Sequence, residues 1–292
     1  MNKKFISAVI ITALCFATME VALKIGGAKF DTLQLTFLRF IIAGVGLLPF
    51  GVSQLKKKHL KVHLGDYVYM WFIGTLLICL SMTAFQEATK YSNANLVAIS
   101  ISTNPVFVFI FAHFLSGEHF TKRKGATLAL SLAGLVLAAN PFQIIHGNTP
   151  FGITLLIIVP LTFGLYGTLA KKMIRKFGGL PQLSISFILG SLSLLAVILF
   201  KGGPVLSGIT MQSLPVLIYL AVVVTGIGYF FYFRAIDEGG AANGSIAFFV
   251  KPVLAPIISL AVLGEPITWN MALGICLLVA GSVITMTGNK KA

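Results

Sequence analysis

The sequence predicts an all-α membrane protein of ten transmembrane helices, arranged as two inverted five-helix repeats. Three observations carry that expectation. Long apolar runs recur along the whole chain, basic residues gather in alternate connections, and the second half repeats the first at a fixed offset. Of 292 residues, 57% are apolar and only 10% are charged, too apolar a composition for a surface facing water.

A helix rising 1.5 Å per residue needs about 20 residues to cross some 30 Å of hydrocarbon. Runs of that kind cover residues 5–25, 32–52, 66–86, 93–116, 125–140, 152–172, 181–200, 214–235, 241–263 and 269–288. The first follows Met-Asn-Lys-Lys with no small-x-small cleavage site behind it, so it reads as a retained helix and not as a signal peptide. Turn formers separate the runs, among them Gly26-Gly27, Gly147-Asn148-Thr149-Pro150, Gly178-Gly179, Gly202-Gly203-Pro204 and Gly239-Gly240. The runs are continuous and do not alternate polar with apolar residues, which excludes a membrane barrel.

The formal charge of +14, from 22 basic and 8 acidic residues, would suggest nucleic acid in a soluble protein. Position gives another cause. With the N-terminus taken as cytoplasmic, inner segments hold Lys3 and Lys4; Lys56, Lys57, Lys58 and Lys61; Lys122, Arg123 and Lys124; Lys171, Lys172, Arg175 and Lys176; Arg234; and Lys290 and Lys291. Outer segments hold Lys24, Lys29, Lys90 and Lys201. That 16 to 4 bias follows the positive-inside rule. It predicts a multi-pass protein of the cell (plasma or inner) membrane, with both termini cytoplasmic and no nucleic-acid partner. Cys15, Cys79 and Cys276 lie apart in apolar runs, so neither disulfide, metal nor other cofactor is expected. No GxxxxGK[ST] loop is present, which excludes ATP as the direct energy source.

Sliding the chain against itself by 147 residues aligns Gly117-Glu118-x-x-Thr121 with Gly264-Glu265-x-x-Thr268. The same offset pairs Pro105 with Pro252, Phe16 with Phe163, Lys24 with Lys171, Ala88 with Ala235 and Gly134 with Gly281. The expected repeats are residues 1–145 and 148–292. Five helices each is an odd number, so the second repeat enters the membrane from the other side, with Glu118 cytoplasmic and Glu265 external. Inverted repeats can exchange conformations and open one cavity to either face, which is alternating access.

The set Phe85, Tyr91-Ser92-x-Ala94, Pro105-Val106-Phe107 and Gly117-Glu118-x-x-Thr121 is answered by Tyr232-Phe233-Arg234-Ala235, Lys251-Pro252-Val253-Leu254-Ala255 and Gly264-Glu265-Pro266-Ile267-Thr268. With Leu38-Arg39-Phe40 in the second helix, it resembles the EamA type of the drug/metabolite transporter superfamily. The resemblance covers essentially the whole chain. It implies ten helices, cytoplasmic termini, a central cavity lined by both halves, and export of amino acids, other small metabolites or drugs. Cys15-Phe16 stands where that family commonly has a tryptophan in the first helix.

Ionisable groups within the hydrocarbon are costly, so each is a candidate functional group. Lys251 falls near mid-membrane directly before Pro252, and its repeat mate Asn104 directly before Pro105. Prolines there are expected to kink both helices, and Lys251 is expected to bind a substrate carboxylate, with structural pairing to an internal acid as the alternative. Glu20 and Arg39 share a depth in the first two helices and are candidates for an ion pair, or for proton coupling through Glu20. Thr225, Tyr229 and Tyr232 make an i, i+4, i+7 stripe on the eighth helix, with Tyr166 facing it from the sixth, and suit an amphipathic solute. Glu118 and Glu265 are candidate gates at opposite faces, each expected to cap the following helix. Gly240-x-x-x-Gly244 allows close helix approach.

The expected function is a secondary transporter, an exporter of a small carboxylate-bearing metabolite such as an amino acid. Its partners are the solute and the bilayer, and coupling is to a proton or solute gradient. Export of cationic or amphipathic drugs is the alternative, and a channel or membrane-embedded enzyme the alternative class. His59, His63, His113, His119 and His146 are scattered and no paired aspartates appear, so no catalytic constellation supports an enzyme.

Overall fold

The computed structural model describes residues 3–27, 29–116, 122–139, 149–239 and 246–288. Its first rod is α1 (Lys3–Ala17) and α2 (Met19–Gly27), divided at Thr18, whose hydroxyl bonds back to the carbonyl of Cys15 (3.0 Å) in competition with the helical ladder. Next, α3 (Thr32–Lys57) starts where the Asp31 carboxylate accepts from the amides of Leu33 and Gln34, satisfying donors that a helix leaves open. The third rod is α4 (Leu64–Thr75), a π-helical stretch Leu76–Met82 and α5 (Thr83–Tyr91), and the fourth is α6 (Ala94–Ser102) and α7 (Asn104–Ser116). After α8 (Lys122–Ala139) comes α9 (Pro150–Phe177), capped by Thr149 with proline at its first position. The remainder is α10 (Gly179–Phe200), α11 (Leu214–Ile218), a second π-helical stretch Tyr219–Ile227, α12 (Gly228–Gly239), α13 (Ile246–Leu263) and α14 (Trp269–Gly288).

Seven of these rods are long and apolar enough to cross a membrane, and Gly125–Ala138, Lys251–Leu263 and Trp269–Gly281 are shorter apolar helices. Large apolar side chains such as Val136, Ile157, Leu192 and Leu260 point outward, as hydrocarbon solvent allows and water does not. Inside, hydroxyls tie rods together: Ser81 donates to the carbonyl of Val159 (3.3 Å) and Ser100 to that of Leu156.

Packing obeys the 147-residue offset. The first rod contacts α12 and α13, and its mate α9 contacts α5 and α7. Two contacts map onto themselves. In one, α3 lies on α10, with Gly44 against Phe187 and Gly51 against Pro181. In the other, α8 lies on α14, with Gly134 against Gly274 and Thr127 donating to the carbonyl of Gly281 (2.8 Å). Numbers rise along one helix as they fall along its mate, so equivalent helices are antiparallel and the repeats are inverted. Where α4 crosses α10, a Cβ on Gly74 would come within 2.1 Å of the Ser186 carbonyl oxygen, so only glycine permits that backbone contact.

Candidate substrate and coupling site

Glu20, on the first turn of α2, and Lys251, on α13, meet at 2.5 Å, each side chain 1% exposed. The Glu20–Arg39 ion pair expected from shared depth is therefore replaced by Glu20–Lys251. Depth along a helix locates a residue on one axis only, and the helix faces turn Glu20 toward α13. Arg39 is equally buried. Its Nε donates to Thr225 Oγ1 (3.0 Å), its Nη2 to the thioether of Met19 (3.6 Å), and its guanidinium lies 4.9 Å from the centre of the Phe40 ring. Among the described residues no carboxylate lies within ion-pair distance of Arg39. Two cations against one carboxylate leave the enclosed centre with an excess positive charge when all three are ionised.

The π-helical stretch prepares Thr225 for its role. Its hydroxyl donates to the carbonyl of Leu220, five residues back, at 2.8 Å, and so presents its lone pairs to Arg39. Widened turns of this kind recur at functional sites. Tyr229 is buried one turn further on, edge-on to Phe16 (5.1 Å) and to Phe187 (5.3 Å). Tyr232, half-buried, packs on Phe248 (5.3 Å), which also touches Phe16 and Phe163. Tyr166 receives a hydrogen bond from Gln182 (3.4 Å), which bonds Ser186 as well (3.1 Å). The expected polar stripe is thus set in an aromatic wall built from two repeat-related pairs, Phe16 with Phe163 and Phe40 with Phe187.

Asn104, the mate of Lys251, is buried with its Oδ1 lacking a hydrogen-bond partner. The fourth rod breaks at Thr103, immediately before Asn104-Pro105, and the Thr103 hydroxyl bonds back to Ser100 (2.7 Å). Pro252, by contrast, sits inside an uninterrupted α13 together with Pro256. There it removes one backbone donor without ending the helix.

Glu265 does not cap the helix that follows it. Gly264, at φ +69°, ends α13 in the left-handed conformation and turns the chain. Glu265 then accepts from the amides of Ala94 (3.2 Å) and Asn95 (3.3 Å) at the start of α6 and from the Ser259 hydroxyl (3.0 Å). Thr268 serves α14 instead, accepting from the amide of Met271 (3.3 Å). Each residue of Gly-Glu-x-x-Thr therefore has its own task, and the glutamate binds one repeat to the other. Glu118 and Gly240-x-x-x-Gly244 lie outside the described residues.

Gln182, Ser186, Phe187 and Phe248 were not singled out from the sequence. The repeat carries a signal for two of them, because Ser186 is the mate of Arg39 and Phe187 that of Phe40.

Inverted helical repeats closed around a buried charged centre define a membrane transporter. The EamA-like transporter family matches the chain twice, over residues 3–140 and 150–287, and the chain belongs to that family. A protein of Clostridium kluyveri named as an uncharacterized transporter is 34% identical over 99% of this chain and 95% of its own. Another so named, from Archaeoglobus fulgidus, is 25% identical over 98% of both. A crystal structure superposes with a TM-score of 0.69 over 100% of both chains at 17% identity, a likeness of fold.

Proposed function

We propose that this transporter carries a small carboxylate-bearing metabolite outward by alternating access, with the carboxylate held at Arg39 and Lys251. The observation behind it is Arg39: a buried cation with no carboxylate within ion-pair distance among the described residues, beside a cation already paired to Glu20. An incoming carboxylate supplies the missing charge, and Tyr229, Tyr232, Thr225 and Tyr166 flank its remainder with rings and hydroxyls. When the solute draws Lys251 toward itself, Glu20 is left as a buried carboxylate without its counter-ion, a state relieved by taking up a proton. A singly charged carboxylate and the proton then cross together without net charge, driven by the gradient of accumulated solute. Glu265 acts as the outer gate, holding α6 closed in this conformation until its two amide contacts break.

Purified protein is screened for thermal stabilisation by carboxylates and by cationic drugs, since a ligand of the folded state raises apparent stability. Carboxylates are expected to stabilise the parent chain and not Arg39→Gln. Stabilisation by cations alone would favour the drug-export reading, for which the aromatic wall offers cation-binding faces. Counterflow in vesicles that carries protons with Glu20 and none with Glu20→Gln supports the coupling step.

A further inference from the structure

α3 packs on the π-helical stretch Tyr219–Ile227, and nearer its lysine-rich end Phe50 reaches Phe230 of α12. Between them lies a cavity of about 350 Å³ lined by apolar side chains and glycine, including Gly46, Leu47, Phe50, Ile227 and Phe230. That size falls in the ~300–1,000 Å³ range of ligand sites. Phe50 meets Phe230 edge-on at 5.7 Å yet stays 54% exposed.

The repeat-related seam, between α10 and the third rod, is shut. There Trp71 donates to Ser193 Oγ (2.7 Å), Thr75 and Ser193 share a hydrogen bond of 2.8 Å, and Gly74 touches Gly190. At the equivalent points the open seam has Ile218, Gly46, Val222, Ala221 and Ala43, none of which can form those bonds. The opening therefore belongs to this seam and not to the fold. A Cβ on Gly46 would meet nothing within 4 Å, so no neighbour requires glycine at the cavity floor.

Charge tells what fills it. Ile42, Gly46, Phe50 and Lys57 share one face of α3 by helical spacing, and Lys57 lies roughly 10 Å along the axis from Phe50. Lys56, Lys57, Lys58 and Lys61 are all exposed at that end. Basic clusters directly beside a membrane helix attract anionic headgroups. We propose that the groove holds an acyl chain of an anionic phospholipid from the lysine-rich side, whose phosphate sits among Lys56, Lys57 and Lys58. The inference rests on membrane embedding alone and is independent of the solute carried.

Native mass spectrometry of the full chain in detergent tests it, with phosphatidylglycerol or phosphatidylcholine added. One phosphatidylglycerol is expected to be retained in preference to phosphatidylcholine. Gly46→Leu, which fills the cavity, should abolish retention while leaving the helical circular dichroism unchanged. Replacing Lys56, Lys57 and Lys58 by Gln should weaken it about fivefold per lysine, on the order of 100-fold together. Equal retention of the two lipids, retention untouched by both variants, or a protein dimer lost with Gly46→Leu in place of a lipid would each overturn it. Should Gly46→Leu unfold the chain, the lysine variant and the lipid preference decide.

Discussion

Under the 147-residue offset Glu20, Arg39 and Lys251 fall on Gly167, Ser186 and Asn104, while Phe16 and Phe40 fall on further phenylalanines. The scaffold and the aromatic wall are shared by the two repeats, but the charges belong to one side of the pseudo-twofold. Under the proposed mechanism, symmetry of the helices would serve the exchange between conformations and asymmetry of the side chains would serve recognition. A solute charged at one end would then meet the same charged wall whichever face is open.

The comparison breaks most severely if Lys251 is replaced. Lys251→Met leaves Glu20 buried without a partner and should lower stability by about 3–5 kcal/mol, read as thermal unfolding in detergent. Adding Glu20→Gln should recover most of the loss, and no recovery would mean that the pair is not the source. Arg39→Gln removes charge without orphaning a carboxylate. It should weaken carboxylate binding on the order of 10–100-fold, from charged hydrogen bonds of about 1.5–3 kcal/mol. Ser186→Ala on the neutral side, measured by the same binding titration, should change affinity less than about threefold, since surrounding bonds to Gln182 are weak and neutral.

Glu265→Ala should release about 1–2 kcal/mol of capping from α6. In a background lacking Cys276, a membrane-impermeant thiol reagent should label Asn95→Cys several times faster once the glutamate is gone. The smallest effect has the opposite sign. Asn104→Leu buries an apolar group where an unsatisfied amide oxygen stands, and should raise stability by about 1 kcal/mol in the same unfolding assay while slowing transport.

Repeat and helical class were legible because they rest on patterns that a linear chain displays in full: run length, basic connections, and doubled Gly, Pro and Phe positions. The centre was legible in part. Lys251, Glu20 and Arg39 stand out as charges in apolar runs, but their pairing depends on which way each helix is rotated, and apolar runs as uniform as α10 and α13 give no preferred face. What Glu265 binds escaped for a different reason. Its partners, Ala94 and Asn95, are 171 and 170 residues away and are backbone amides, which no residue type announces.

The two π-helical stretches also correspond. Shifted by 147, Tyr219–Ile227 overlaps Leu76–Met82, and the offset is the same before them (Phe16 with Phe163) and after them (Pro105 with Pro252). A residue gained by only one copy would have put the later matches out of frame by one. The widened turn therefore occupies overlapping places in both repeats, and neither carries an extra residue there that the other lacks.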